Sequence, residues 1–209
     1  MKSISQKKTP SFTRDVLSAL RSKKLLRPRD LDGIPHAKSH LSRLVKSGQA
    51  RQFGRGIYAL AGHEPTRFHS YALVCKRAPE GVVCLLSALA FHELTSQNPS
   101  RVWLAIGPET WPPHITTPRV RIVRYSDKSF QDGIETHPVE GVTVRVCGVA
   151  KTVADLFKFR NKVGLDVAME ALKESLKQRR CSPDDLLRHA RVCRVEQVIR
   201  PYLEMATAS

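Results

Sequence analysis

The 209-residue sequence predicts an α+β protein, and three patterns predict it. Apolar residues recur at helical spacing near the N-terminus, β-branched runs bounded by Pro, Gly and Asp fill the middle, and helical spacing returns after Gly148. Hydrophobic residues make up 41% of the chain, which is enough to bury one large core or two small ones. We expect two domains, at residues 1–62 and 63–209.

The most informative stretch is residues 25–60. Within residues 36–47 the apolar side chains follow the spacing of one buried helical stripe and are Ala37, Leu41, Leu44 and Val45. The opposite face is polar without a carboxylate, and it carries His36, Ser39, Ser42, Arg43 and Lys46, with Lys38 on its flank. Such a face can approach DNA phosphates and base edges, and Arg43 is the best candidate for contacting a base.

The flanking residues predict a turn before this helix and a hairpin after it. Pro28 suits the first turn of a short helix, and Gly33-Ile34-Pro35 breaks the chain before the polar-faced helix. Gly48 ends that helix, and two strand-like runs flank Gly54-Arg55-Gly56, which places a guanidinium at the hairpin tip. This order predicts an N-terminal winged helix-turn-helix. We expect its DNA-contacting residues to be Lys38, Ser39, Ser42, Arg43, Lys46, Arg51 and Arg55.

Residues before this stretch predict a supporting helix. Phe12, Val16, Leu17 and Leu20 give its apolar stripe, and Thr9 or Ser11 can cap it. Residues 1–8 are polar and basic, and we expect a frayed arm there, although such an arm can also lie along a DNA backbone. A short strand at Leu25-Leu26 is expected to pair with the hairpin. Taken singly, a basic amphipathic helix can also be only a solvated face, and a Gly-Arg-Gly turn only a turn.

Charge favours a polyanionic partner. The net charge is +16, and residues 1–60 hold 14 lysines and arginines against 3 acidic residues, or +11, leaving 21 against 16, or +5, for the rest. Few aromatic residues interleave with these cations, so duplex phosphates are a better match than stacked single-stranded bases. No stretch of about 18 apolar residues and no secretory signal is present, so we expect a cytoplasmic protein without membrane contact.

The remaining chain predicts a mixed α+β domain. Helical spacing covers residues 71–77 and 85–94, strands are expected at 102–106, 120–125 and 142–147, and two amphipathic helices follow Gly148 around a polar turn at 161–164. Ser182-Pro183-Asp184-Asp185 predicts a capped helix that runs to about Ala190. A further helical pattern, at 195–203, is interrupted by Pro201.

Motifs for catalysis or for a cofactor are missing. The sequence has no phosphate-binding loop, no nucleophile elbow and no zinc-protease pair, and its five widely spaced cysteines predict free, mostly buried thiols. His36 and His40 have a metal-ligand spacing without a third ligand, so we expect no metal and no cofactor. His92-Glu93 could act as an acid/base pair, although a partly exposed, hydrogen-bonded helix end also explains it. An enzymatic centre would have to use Glu93, His92 and Asp155.

Two cationic groups remain ambiguous. Lys158, Arg160 and Lys162, and likewise Lys177, Arg179 and Arg180, lie near expected helix ends. Cations favour that end of a helix whether or not they bind a ligand, so a second DNA contact there stays an open alternative.

With these residues in view, the chain resembles the AbiEi family, the antitoxins of type IV (abortive infection) toxin-antitoxin modules. The similar stretches are GRGIYAL at 54–60, LLSALAFHEL at 85–94, VWLAI at 102–106 and GVTVRVCGVAKTVADLF at 141–157, which runs into AMEALKESL at 168–176. Each motif is common, whereas their succession is more specific. The family's DNA-contacting positions fall on Ser39, Ser42, Arg43, Lys46 and Arg55, and no antitoxic residue carries over.

The resemblance implies a DNA-binding autorepressor that binds inverted repeats in its own promoter and counteracts a nucleotidyltransferase-like toxin. It does not imply nuclease activity, because the long insertions or appended nuclease of some relatives are missing. The alternative is a protein-interaction module that sequesters a partner directly, with DNA binding secondary. Co-purification with the toxin would distinguish the two.

Overall fold

The structure, a computed structural model, describes residues 12–207. The predicted caps at Thr9 and Ser11 and the predicted basic arm lie outside the described residues. The chain divides into two units, Met1–Thr66 and Arg67–Ser209. The boundary expected from the sequence lies slightly earlier, after Gly62. Among the described residues, every helix is too short or too polar to cross a membrane.

The first unit contains helices and one small hairpin. Its elements are α1 (Phe12–Lys23), a 3₁₀ turn (Pro28–Asp30), α2 (Ala37–Lys46), β1 (Ala50–Gln52) and β2 (Tyr58–Leu60). Pro28 starts a single 3₁₀ turn rather than an α-helix, and the Asp30 carboxylate accepts the Arg27 backbone N–H at 2.7 Å. The segment is therefore shorter than a full helix, although the chain reverses where the sequence predicts.

One hydrophobic core holds the first unit together. It consists of Val16, Leu20, Leu26, Leu31, Leu41, Leu44, Ala50 and Tyr58. The expected Leu25-Leu26 strand is confirmed as a single bridge, because the Leu26 N–H donates to the Tyr58 carbonyl (2.9 Å) and the Tyr58 N–H donates back (2.8 Å). Phe12, expected in this core, is only half-buried. Helix α1, the hairpin and α2 thus share one core.

The second unit has a mixed sheet with helices. Its elements are α3 (His69–Arg77), β3 (Val82–Val83), α4 (Leu85–Phe91), β4 (Val102–Ile106), β5 (Val120–Arg124), α5 (Asp127–Gln131), β6 (Ile134–Val139), β7 (Val142–Cys147), α6 (Val149–Lys158), α7 (Arg160–Val163), α8 (Leu165–Lys177), α9 (Pro183–Cys193) and α10 (Glu196–Thr207). The sheet order is β5-β4-β3-β7-β6. Strands β4 and β5 pair in parallel, as do β3 and β7, while β3–β4 and β6–β7 are antiparallel. The expectation of an α+β fold is confirmed at this level.

Helix α6 is the centre of the second unit. Every residue from Val149 to Phe157 is buried, and the helix packs against α4, α8 and α9. The predicted cap of α9 is confirmed, since the Ser182 hydroxyl accepts the Asp185 N–H at 3.1 Å. The interruption expected at Pro201 is wrong: α10 continues through it. Pro201 and Gln197 are both exposed, so the Gln197 carbonyl that loses its partner can bind water.

Candidate nucleic-acid interface

Helix α2 presents one buried and one exposed face, as its sequence predicts. Leu41 and Leu44 are almost fully buried in the core of the first unit. The predicted contact residues of α2 are all exposed, and they are Lys38, Ser39, Ser42, Arg43 and Lys46. Because side chains three and four positions apart share a helix face, these residues form one continuous polar surface.

The helix is fixed from behind by α1. The Thr13 hydroxyl and His40 Nδ1 lie 3.1 Å apart in a hydrogen bond, and the Phe12 and His40 rings are 6.1 Å apart. His40 is thus half-buried against α1, whereas His36 is exposed at the N-terminal end of α2. The two histidines therefore have different surroundings.

The hairpin after α2 ends in a tight turn. The Phe53 N–H donates to the Ile57 carbonyl at 2.8 Å, and Gly54 (φ 64°) and Gly56 (φ 72°) adopt the left-handed conformation that glycine tolerates. Arg55, between them, is exposed at the tip. Arg51 is exposed on β1, and its guanidinium lies 5.5 Å from the centre of the Phe53 ring.

The first unit has an excess of positive charge. Residues 12–66 contain 11 lysines and arginines and 4 acidic residues. In the part of the chain that the structure describes, Lys38, Arg43, Lys46 and Arg51 form no salt bridge. A positive surface without carboxylate partners retains its attraction for phosphate. We call this exposed surface of α2 and the hairpin the cationic face, and its residues are Lys38, Ser39, Ser42, Arg43, Lys46, Arg51 and Arg55.

The residues of the hypothetical enzymatic centre are engaged separately. His92 is buried, and its Nε2 lies 2.7 Å from the Cys147 carbonyl oxygen, to which an Nε2–H donates. Glu93 is exposed and pairs with Arg67. The expectation of a partly exposed helix end is therefore wrong for His92, since the ring is turned inward. Burial lowers the pKa of His92, although the bond to the Cys147 carbonyl opposes that shift.

Asp155 belongs to a buried polar cluster around Lys151. The Lys151 ammonium pairs with the Asp155 carboxylate and donates to the Ser129 hydroxyl at 3.1 Å. Cys193 Sγ lies 3.1 Å from Asp155 Oδ1, and the Tyr125 ring centre lies 4.8 Å from Lys151 Nζ. Burial raises the pKa of the Cys193 thiol to about 12, so this cysteine is not a reactive thiolate.

Some of the cations near helix ends satisfy backbone carbonyls. Arg160 donates to the Phe157 carbonyl at 2.8 Å, and Arg180 donates to the His92 carbonyl at 3.2 Å. Lys162 lies 5.5 Å from the centre of the Phe159 ring. These three side chains have local structural roles, so they add little support to a second DNA contact.

Together these features define a two-unit α+β protein with a cationic helix-and-hairpin surface on the first unit. No protein-family model and no curated protein matches the chain. Among solved structures, the crystal structure of the RV2827C protein from Mycobacterium tuberculosis is similar, with a TM-score of 0.60 and 13% sequence identity. The likeness covers 94% of this chain and 82% of that chain. At this identity it shows a shared fold alone.

Proposed function

We propose that the chain is a DNA-binding transcriptional regulator whose first unit is a winged helix-turn-helix. The observation that carries the proposal is the cationic face: all seven of its residues are exposed on α2 and the hairpin. Lys38, Arg43 and Lys46 also lack a carboxylate partner among the described residues. A surface of this charge and shape matches double-stranded DNA better than it matches another protein.

In this proposal α2 is the recognition helix. The major groove is about 12 Å wide and admits one α-helix, and an arginine can bond both acceptors of a guanine there. Arg43, at the centre of the exposed face, takes that role, while Lys38 and Lys46 contact phosphates on either side. Arg55, at the tip of the hairpin, contacts the adjacent groove or the DNA backbone. The glycines on either side of it let the protein main chain approach the DNA closely.

We further propose that the protein is an AbiEi-type antitoxin that represses its own promoter at inverted repeats and counteracts a nucleotidyltransferase-like toxin. The proposal rests on the resemblance in sequence. The resembling stretches coincide with the hairpin, α4, β4, β7, α6 and α8. Strand β4 and most of α6 are buried, so in these two elements the resemblance concerns residues of the hydrophobic core. It does not assign any antitoxic residue.

Fluorescence anisotropy with a labelled fragment of the protein's own promoter tests the DNA-binding proposal. The parent protein should bind this fragment more tightly than a scrambled duplex of equal length. The double variant Arg43→Ala/Lys46→Ala should lose that preference. Lys128→Ala/Lys173→Ala removes two exposed cations from the second unit and should bind like the parent. Equal binding by both double variants would exclude α2 as the recognition helix.

The antitoxin proposal requires a separate experiment. Expression of the neighbouring nucleotidyltransferase-like gene should arrest growth, and co-expression of the full chain should restore it. Rescue without a stable complex supports an indirect route, whereas co-purification of the two proteins supports the alternative of direct sequestration. Growth arrest that the chain does not relieve would contradict the antitoxin proposal and leave the DNA-binding proposal intact.

A further inference from the structure

A small hollow in the second unit is surrounded by cations from three separate elements. It has a volume of about 240 Å³ and lies among the end of β5, helix α5 and the C-terminal ends of α6 and α9. Its charged lining residues are Arg124, Lys158 and Arg194. Hydroxyl groups of Ser126 and Ser129 lie on the same lining. Among the described residues, no carboxylate lines this hollow.

The charge of this hollow differs from that of a larger one in the same unit. The larger hollow, of about 500 Å³, is lined by Lys151, Arg180 and Arg188 together with Glu135 and Asp185. Arg188 is paired with Asp185 at 2.9 Å, and the three cations and two carboxylates of this lining leave a formal charge of +1. The smaller hollow has a formal charge of +3 from its three cations. This charge exceeds the partial negative charge of about one half that each of the two helix C-termini beside it contributes, so the smaller hollow is the better site for an anion.

The cations around the hollow retain hydrogen-bond donors. Nη1 of Arg124 donates to the carbonyls of Pro108 (2.7 Å) and Thr110 (2.9 Å), which fixes the guanidinium, while its other donors make no bond within the described residues. Lys158 and Arg194 are exposed and form no salt bridge in the same part of the chain. A guanidinium fixed in this way is preorganised for an oxyanion.

The lining of the hollow includes a hydroxyl group that is held by a hydrogen bond. Ser129 Oγ accepts a hydrogen bond from the buried Lys151 ammonium at 3.1 Å. Because this bond uses a lone pair of the oxygen, the hydroxyl proton remains to be donated elsewhere. Its other hydrogen-bond partner among the described residues is Cys193 Sγ at 3.8 Å, which is a weak acceptor. The Ser129 hydroxyl is thus held as a donor at the edge of the hollow.

We propose that this hollow binds a phosphoryl group. Pockets for whole drug-sized ligands occupy roughly 300–1,000 Å³, so this volume suits one anionic group better than a complete nucleotide. A phosphoryl group offers several acceptor oxygens and up to two negative charges, which match the guanidinium of Arg124, two further exposed cations and a serine hydroxyl. The site is independent of the DNA-binding proposal, because none of its residues belongs to the cationic face.

Isothermal titration calorimetry of the full chain with inorganic phosphate tests the proposal. We expect one saturable site, and Lys158→Gln and Arg194→Gln should each weaken it about tenfold or more, because each removes a charge-assisted contact. Lys162→Gln removes an exposed cation close in sequence that does not line the hollow, and it should bind like the parent. Arg43→Gln should also bind like the parent, which excludes the cationic face as the source of the signal.

Two further measurements test the role of Ser129 and the identity of the bound phosphate. Ser129→Ala should weaken phosphate binding while thermal unfolding shows that the variant is folded. Competition with a nucleoside monophosphate and with a short DNA duplex identifies whether a free phosphomonoester or a backbone phosphodiester occupies the hollow. The proposal is overturned if phosphate does not bind saturably, if Lys158→Gln and Arg194→Gln bind it as the parent does, or if acetate binds more tightly than phosphate.

Discussion

Arg43 and Lys46 lie one helical turn apart on the exposed side of α2, yet their chemistry assigns them different contacts. The planar guanidinium can bond two acceptors on a guanine edge, whereas the ammonium is a compact charge suited to phosphate. Arg43→Ala should therefore cost about 1–3 kcal/mol on the cognate promoter and relax its sequence preference. Lys46→Ala should weaken binding to cognate and scrambled duplexes by similar factors. Anisotropy titrations on both duplexes measure the difference.

The opposite pattern would contradict this assignment. If Lys46→Ala relaxed the sequence preference and Arg43→Ala reduced all affinities equally, the register of α2 in the groove would have to shift by one turn. Lys173→Ala, an exposed cation on α8, provides the matched control for loss of one charge.

His92 should make the protein sensitive to mild acid. Its folded pKa lies below the ordinary value because burial disfavours the imidazolium. The unfolded state therefore binds a proton near pH 6.5 that the folded state resists, so the free energy of unfolding should fall as pH decreases through about 6.5. Urea denaturation on either side of that pH measures the loss.

The His92→Gln variant isolates this contribution. It should be less stable than the parent at neutral pH, because the bond to the Cys147 carbonyl is changed, but should lose less stability on acidification. His114→Gln replaces an exposed histidine and should keep the parent's pH dependence. An unchanged dependence in His92→Gln would show that another group titrates.

Among the secondary-structure elements, strongly periodic segments were predictable and short ones were not. The expected strands at 102–106 and 142–147 coincide with β4 and β7. Helix α2 forms where the apolar spacing predicts it and buries Leu41 and Leu44 of the predicted stripe. Strand β3 has two residues and α5 has five, which is too short for a period to appear. Strand β6 contains Pro138 and three consecutive polar residues among its six, and it forms because the hairpin with β7 fixes its register.

The burial of Lys151 and Asp155 could not have been inferred from their spacing. A lysine and an aspartate four residues apart on a helix usually form an exposed pair. In α6 they are buried because α4, α8 and α9 cover the helix around its circumference. The desolvation that opposes a charged Lys151 is outweighed by Asp155 and the nearby Cys147 and Cys193, so the pKa of Lys151 is raised. Burial also raises the pKa of Asp155, and the Lys151 ammonium opposes that shift.

Breaking this buried pair should be strongly destabilising. Asp155→Asn leaves the Lys151 ammonium buried without its counter-charge, and we expect a loss of about 3–5 kcal/mol in the free energy of unfolding. The double variant Lys151→Met/Asp155→Leu removes both charges and should lose much less. Chemical denaturation of both variants measures the two losses.

An exposed pair in the same unit is the control. Arg188→Ala breaks the contact with Asp185 on the surface and should change stability by no more than about 1 kcal/mol. If Lys151→Met/Asp155→Leu were as unstable as Asp155→Asn, the buried pair of Lys151 and Asp155 would stabilise the fold through the shape of its side chains and not through neutralisation of charge.

At the scale of the whole molecule, positive charge is concentrated in the first third of the chain. Residues 1–60 carry +11 of the net +16, and this asymmetry was readable from the sequence. The three cations of the small hollow, Arg124, Lys158 and Arg194, were not, because they are far apart in the chain and only the fold of the second unit brings them together. Periodicity predicts which face of one helix is exposed, whereas convergence of distant elements requires the tertiary structure.

The central claim is that the cationic face binds DNA through its phosphates, and the salt dependence of binding tests it most directly. The promoter affinity of the full chain should be measured by anisotropy at several salt concentrations. With about four to five phosphates neutralised per chain, the plot of log affinity against log salt concentration should have a slope of roughly −3 to −5, which Lys46→Ala should make shallower by about one. A slope near zero, or one that Lys46→Ala leaves unchanged, would contradict the claim.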